Sequence, residues 1–212
     1  GTLVLDGATI TSTSTMSPTG VQVTNGTLIM KSGTVTGLKG SPIVATDSIV
    51  TITGGDISTN NSNVKLTNCQ ADISGLTVTG NSTSYNGGGI KISGGGEYTF
   101  KDCSITDNST NYGNGENGYG GGIYIDTTGT VTFTSCTITG NTAADHQNSS
   151  KGGGIYLNSG TLTTTGCTIN NNTTKSASTI TTDNGSQIYA VAGSIYNGET
   201  LTEDKIIDTF NE

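Results

Sequence analysis

Apolar and polar residues alternate along most of this chain, which is the period-two pattern of strands that bury one face. The pattern also repeats as a unit, and VTFTSCTITGN and LTTTGCTINNN are two of seven copies. The residues at the centres of the copies are Ala8, Gly33, Gly55, Leu76, Cys103, Cys136 and Cys167. Their spacings of 25, 22, 21, 27, 33 and 31 residues lie in the range of solenoid repeats. The chain is therefore predicted to form a stack of similar coils.

A second repeated segment lies twelve or thirteen residues before most of these centres, and its clearest copies read GGGI (87–90, 120–123 and 152–155). A further instance near the C-terminus, GSQIYAV, has no clear partner after it. Three short strands and three bends per copy predict one coil of a parallel β-helix, with equivalent residues about 4.8 Å apart in successive coils. We expect an all-β, single-stranded parallel β-helix of about seven coils over residues 1–198. Right-handed crossovers are the default for parallel strands.

Two columns of equivalent residues emerge when the copies are aligned. Five residues after five of the centres stand asparagines that predict a hydrogen-bonded amide ladder: Asn60, Asn81, Asn108, Asn141 and Asn172. The other column faces inward and contains Cys103, Cys136 and Cys167, where other copies have Ala, Gly or Leu. This pattern favours buried free thiols that fill space. A disulfide between stacked neighbours is an alternative, whereas a straight ladder does not converge on a tetrahedral metal.

The pairing of GGGI with an apolar-x-x-Asn motif, as in Ile105–Asn108 and Ile138–Asn141, resembles the GGA(I/V/L) and FxxN repeats of the chlamydial polymorphic outer-membrane proteins. It is also similar to the β-helix repeats of adhesin-like proteins of gut bacteria and methanogens. The clear repeats cover roughly residues 63–172, and Ile or Val replaces Phe at the first position of the second motif. The resemblance implies a right-handed β-helix with the architecture of the pectate lyase superfamily, and a role in adhesion or at a cell surface.

The composition limits the classes of partner. The 212 residues include 8 basic and 16 acidic side chains, a net charge of −8, and 30% hydrophobic residues. All the basic residues are lysines and they are scattered, so they cannot supply the clustered cations that nucleic acid or an anionic membrane surface requires. No run approaches the roughly 20 apolar residues of a membrane span. A composition rich in Thr, Asn and Gly and free of Arg indicates an extracellular or cell-surface protein of a bacterium or archaeon.

The positions of the acidic residues indicate whether the chain is an enzyme with the pectate lyase architecture. A lyase of that type would need an Arg or Lys base beside clustered acids, and a hydrolase would need paired acids on one face. Asp56 and Asp72 fall in neighbouring coils but in different columns, while Asp102 and Asp107 fall at expected bends. The sole histidine, His146, lies in a polar insert. We assign no catalytic, cofactor-binding or metal-binding residues, and we keep a polysaccharide lyase or hydrolase as an alternative.

The residues one and three positions after each centre face outward and form two files rich in threonine. The threonines are Thr9, Thr11, Thr34, Thr36, Thr77, Thr79, Thr106, Thr137, Thr139 and Thr168. Such a Thr-x-Thr array resembles the ice-binding planes of hyperactive antifreeze β-solenoids. Asp56 and Asn170 interrupt the files, and threonine is in any case a good strand former on a solvated face. Ice binding is therefore an alternative function.

Polar inserts of different lengths follow the asparagine column, at 82–86, 109–119, 142–151 and 173–184. Because they leave the same corner of successive coils, we expect them to cluster on one side, where solenoids commonly bind ligands. The candidate ligand-binding residues are Tyr85, Tyr112, Asn114, Glu116, Tyr119 and His146. We expect the three tyrosines to be exposed and to stack on sugar or protein. Solvated loops that bind nothing are the alternative.

The segment 199–212 breaks the repeat, and we expect it to cap the β-helix. Thr202 is the expected N-cap of a short helix, with Ile206, Ile207 and Phe210 folded over the open end. The sequence offers no comparable cap before the first coil, which suggests a piece of a longer chain. The leading interpretation is a non-enzymatic, adhesin-like module, secreted or at a cell surface. It would serve as a spacer or bind a host or microbial glycan or surface protein.

Overall fold

The computed structural model describes residues 1–111, 118–145, 150–176, 179–181 and 185–208. In these residues the chain winds through three faces per coil, and four of the coils add a short fourth face. Equivalent strands of successive coils pair in parallel. Strand alternation places one set of side chains inside the coil and the other set outside.

Four long strands bend at one corner and contribute to two faces, which we call the first and second faces. These strands are Val64–Ser74, Ile90–Lys101, Ile123–Thr134 and Ile155–Thr165. The first face also contains Val21–Thr24, Ile43–Thr46 and Ile188–Ala190. The second face also contains Thr2–Leu5, Thr27–Met30, Ile49–Ile52 and Ile195–Tyr196.

The third face is a sheet of seven parallel strands in continuous register. Its strands are Ala8–Thr11, Gly33–Thr36, Gly55–Ser58, Leu76–Thr79, Ser104–Thr106, Thr137–Thr139 and Thr168–Asn170. Each strand follows one of the repeat centres, as in the pairing of Ile138 with Ile169. The parallel β-helix and its seven coils, both predicted from the repeat, are confirmed.

A fourth, shorter face was not predicted. Its strands are Ser82–Thr83, Ser109–Thr110, Thr142–Asp145 and Thr173–Ser176. They occupy the first residues of the inserts that the sequence predicted to be loops, so that prediction is wrong for these residues. The last of them also pairs in antiparallel fashion with Thr179–Thr181.

The core is a narrow column of apolar side chains inside the coils. One inward column runs through the second face and consists of Leu5, Met30, Ile52, Ile73, Phe100, Phe133 and Thr164. The rings of Phe100 and Phe133 stack with their centroids 4.7 Å apart. Burying a side chain of this size contributes about 1.5–3 kcal/mol. A single coil cannot bury its own inward face, so stacking creates the core.

The three glycines of each GGGI segment have different roles. The first, represented by Gly120 with φ of 68°, adopts the left-handed conformation that other residues avoid. A Cβ on the second, Gly121, would lie 2.2 Å from the carbonyl carbon of Thr142. A Cβ on the third, Gly122, would lie 2.7 Å from the carbonyl oxygen of Gly154 and 3.0 Å from Cγ of Asn141. In the coils that carry GGGI, the third glycine thus leaves room for the asparagine amide.

The C-terminal segment ends the stack with antiparallel strands. Glu199–Thr200 pairs with Ile195–Tyr196, and Lys205–Ile207 pairs with Ile188–Ala190. The expected helix N-cap at Thr202 is therefore wrong, because this residue lies between two strands. Ile207 packs partly against the core, whereas Ile206 is exposed. Phe210 lies outside the described residues. Within the described ranges, no helix is long and apolar enough to cross a bilayer.

Candidate functional site

The five asparagines form one buried hydrogen-bonded column. Nδ2 of Asn108 donates to Oδ1 of Asn141 at 3.0 Å, and Oδ1 of Asn108 accepts from the backbone N–H and from Nδ2 of Asn81, both at 3.0 Å. Nδ2 of Asn108 also donates to the carbonyl oxygen of Val78 at 2.9 Å. The same contacts recur for the neighbouring asparagines. Each side-chain amide is thereby fully paired, so the column has a structural role.

Gln187 closes this ladder, a role that was missed in the sequence. It stands in the GSQI segment where other copies have the third glycine. Its Oε1 accepts from Nδ2 of Asn172 at 2.8 Å. The sequence did carry a signal for this role, because Gln187 replaces the third glycine, which lies beside the amide column in the GGGI segments.

The cysteines are free thiols in the interior. Cys103, Cys136 and Cys167 stack in one column, and Cys69 is buried at another corner. The thiol of Cys136 donates to the carbonyl oxygen of Phe100 at 3.5 Å. Its hydrogen bond to Cys103 raises the pKa of Cys136 to about 11. The same hydrogen bond lowers the pKa of Cys103. All four thiols are buried among apolar side chains of the core, where they fill space as small apolar groups.

The predicted threonine files lie side by side on the third face. Thr34 and Thr36 are directly opposite Thr9 and Thr11, and the register continues through the seven strands. Some of the hydroxyls bond to one another, as Thr106 donates to Thr79 at 3.0 Å. Asp56 interrupts the file, and its Oδ1 is buried without a hydrogen-bond partner.

A second threonine array, which was not predicted, lies on the second face. Its residues are Thr99, Thr130, Thr132, Thr134, Thr161, Thr163 and Thr165, and each is at least partly exposed. In two adjacent strands every outward position in the second face is threonine, because Thr130, Thr132 and Thr134 pair with Thr161, Thr163 and Thr165. In the preceding strand Glu97 and Lys101 flank Thr99, so the array consists wholly of threonine only over those two strands.

A stack of tyrosines covers part of the first face. Tyr124, Tyr156 and Tyr189 occupy one outward column, with successive ring centroids 5.6 and 5.5 Å apart. Tyr119 stacks on Tyr156 with centroids 4.4 Å apart and is itself partly buried. The expectation that the ring of Tyr119 is exposed is therefore wrong, because the ring stacks on the tyrosine column and is partly buried; ligand binding by Tyr119 stays a prediction.

The end of this stack is tied to the C-terminal segment. The ammonium of Lys151 lies 4.3 Å from the ring centroid of Tyr189 and donates to its hydroxyl at 2.8 Å. The hydroxyl of Tyr189 donates to the carboxylate of Asp204. Burial and that hydrogen bond raise the pKa of Tyr189 to about 12. The hydrogen bond from Tyr189 lowers the pKa of Asp204. This network ties the C-terminal segment to Tyr189, so the end of the tyrosine stack stays covered.

Tyr85 is the exposed aromatic residue among the described candidates, with 57% of its surface accessible. It borders a groove of about 390 Å³ along the corner between the fourth and first faces. The groove is lined by Ser17, Thr19, Lys39, Gly40, Ser41, Asn61, Ser62, Lys65, Thr83, Ser84 and Tyr85. The backbone N–H of Tyr85 donates to Oγ1 of Thr83 at 3.3 Å, which fixes the turn that carries the ring. Tyr112, Asn114, Glu116 and His146 lie outside the described residues.

Lysines give this groove a positive charge in an acidic protein. Lys39 and Lys65 line it, and no acidic residue does. Lys65 lies directly opposite Lys91 in the next coil. Burial and the neighbouring charge of Lys91 lower the pKa of Lys65. In the described part of the chain, none of these three ammonium groups lies within 4.0 Å of a carboxylate.

Acidic residues elsewhere do not form a comparable site. Asp72 and Glu97 both face outward from the second face and border a groove of about 360 Å³. Glu97 was missed in the sequence; it pairs with Gln70, and Asp72 pairs with Thr99, so the two acids are diagonal neighbours. Both are exposed to solvent. Among the residues that the structure describes, no group of three or more His, Cys, Asp and Glu could hold a metal ion.

Comparison with known proteins agrees with this architecture. The family model for the right-handed β-helix region matches residues 2–199. Searches among curated proteins and among solved structures found no match. The family contains enzymes as well as proteins without catalytic activity, and a shared fold does not fix a function. With nearly its whole length matched, the chain belongs to the right-handed β-helix family.

Proposed function

We propose that this chain is a non-enzymatic, adhesin-like module that binds glycans outside the cell or at its surface. The observation that supports this function is the Tyr85 groove, where an exposed aromatic ring lies beside serine and threonine hydroxyls. An aromatic face provides a flat apolar surface, and a few placed polar groups fix the orientation of a ligand. The groove lies on a rigid stack of coils, which keeps its parts in place without a ligand.

Substitution of Tyr85 tests this function on a glycan array. We expect Tyr85→Ala to weaken binding at least about tenfold, because the stacking surface is lost. Tyr85→Phe should retain most of the binding because it keeps the ring, and Val4→Ala, at another exposed site, should bind like the wild type. An array without any bound glycan, or equal binding by Tyr85→Ala and the wild type, would contradict the proposal.

Ice binding is a second candidate, favoured by the two adjacent strands of the second face whose outward residues are all threonine. Regular hydroxyl and methyl groups on a flat sheet could order water in a plane. We expect thermal hysteresis from the wild type and its loss in Thr132→Tyr, whose ring would stand above the array. The matched variant Thr79→Tyr disrupts the third face instead and identifies which array acts. A wild-type protein without thermal hysteresis removes this candidate.

A further inference from the structure

We infer that the Tyr85 groove selects anionic saccharides, namely sugars that carry a carboxylate or a sulfate group. The inference rests on the proposed glycan-binding function and specifies its ligand class. It is carried by Lys39 and Lys65, which line the groove beside the exposed ring of Tyr85 without an acidic residue among the lining side chains.

Charge around the groove is opposite to that of the protein as a whole. The chain has a net charge of −8, yet Lys65 and Lys91 lie side by side in the outward column of the first face. Like charges directly opposite one another in a sheet destabilise it. Their repulsion is not offset by a carboxylate within 4.0 Å in the described ranges. A bound anion would relieve this repulsion, so the groove should prefer a charged ligand to a neutral one of the same shape.

Burial adds to this preference. Lys65 is half-buried, and burial is the largest cause of its lowered pKa. A partly desolvated ammonium attracts an anion more strongly than a fully solvated one does. Lys91 is held at the other side by the ring of Tyr124, with its ammonium 5.5 Å from the ring centroid. Lys39 is exposed and is free to turn toward a ligand.

The remaining parts of the groove suit a sugar ring. Ser41 and Ser62 are buried and their hydroxyl oxygens lie 3.1 Å apart, where either can donate. These hydroxyls can exchange that bond for bonds to sugar hydroxyls. Tyr85 contributes an exposed aromatic ring to the groove, and the anionic group would lie toward Lys39 and Lys65. Lysine binds such groups as a mobile point charge, so carboxylate and sulfate should both be accepted.

The test is a glycan array in which neutral, carboxylated and sulfated oligosaccharides share the same core. Each set of oligosaccharides that binds on the array is then titrated against the protein in solution. We expect the charged members to bind roughly five- to thirtyfold more tightly than the neutral core, as two partly exposed ion pairs would provide. The preference should shrink as NaCl is raised from about 50 mM to about 500 mM, because salt screens the charges. The carboxylated and sulfated arms show which anion the groove takes.

Matched variants separate this groove from general charge effects. Lys65→Gln and Lys39→Gln should each reduce the preference for the charged member, while Lys101→Gln, which makes the same change of net charge on the second face, should not. Equal binding of neutral and charged members overturns the anionic selectivity and leaves glycan binding intact. An array without bound glycans overturns both. A preference that survives Lys39→Gln/Lys65→Gln places the anion elsewhere and also overturns the inference.

Discussion

Replacing Gly121 by alanine should lower the free energy of unfolding by at least about 3 kcal/mol and the Tm by roughly 10 °C. The new Cβ would lie 2.2 Å from the carbonyl carbon of Thr142 and 2.5 Å from the carbonyl oxygen of Gly153. These are backbone atoms of a stacked segment, so no side-chain rotation can relieve the overlap. Thermal unfolding followed by circular dichroism measures the change.

Gly95→Ala is the matched control for this substitution. A Cβ at Gly95 would have its nearest neighbour at 3.7 Å, Oγ1 of Thr128. The residue lies in the corner between the first and second faces and not in a GGGI segment. We expect its Tm to remain within about 2 °C of the wild-type value. A Gly121→Ala protein that unfolds at the wild-type temperature would contradict the role assigned to the second glycine.

Asn108→Ala, at the centre of the asparagine column, should lower the free energy of unfolding by about 4 kcal/mol. It leaves the backbone N–H and Nδ2 of Asn81 without their acceptor, and it removes the donor to the carbonyl oxygen of Val78. Each buried polar group left without a partner costs about 1–3 kcal/mol. Urea unfolding at constant m value measures the loss, and hydrogen exchange at the amide of Asn81 locates it.

Two other substitutions test whether the effect belongs to the column. Asn170→Ala changes an exposed asparagine that lies outside the column and should stay within about 0.5 kcal/mol of the wild type. Gln187→Ala removes the acceptor at only one end of the ladder, so its cost should lie between those of the other two. If Asn108→Ala and Asn170→Ala were equally mild, the ladder would contribute little to stability.

The columns of the β-helix could be predicted because each residue repeats its environment in the next coil. The aligned centres from Ala8 to Cys167 predict the register of the third face directly, because each copy of the repeat folds into an equivalent coil. The asparagine column was predicted by the same argument. Gln187 was not predicted, because it departs from the repeat and its partner, Asn172, is recognised only once the two segments are stacked.

The fourth face and the Tyr85 groove could not be predicted with the same certainty. Ser82–Thr83 and Ser109–Thr110 are two residues long and begin inserts of unequal length, so periodicity gives no signal there. The position of Tyr119 depends on the path of an insert. The column that it covers did carry a signal, because Lys65, Lys91 and Tyr124 stand at the same position of successive copies.

The asparagine ladder also bears on how such a chain can change length during evolution. Every amide donates toward the following coil and accepts from the preceding one, from Asn60 to the acceptor on Gln187. A duplicated coil would therefore carry both the amide donor and the amide acceptor that the ladder requires. After the loss of a coil, the donor of the preceding coil would meet the acceptor of the following coil. Only Gln187 must keep its place, because it is the acceptor for the last asparagine of the ladder. Length can then vary by whole coils without any new interface having to arise.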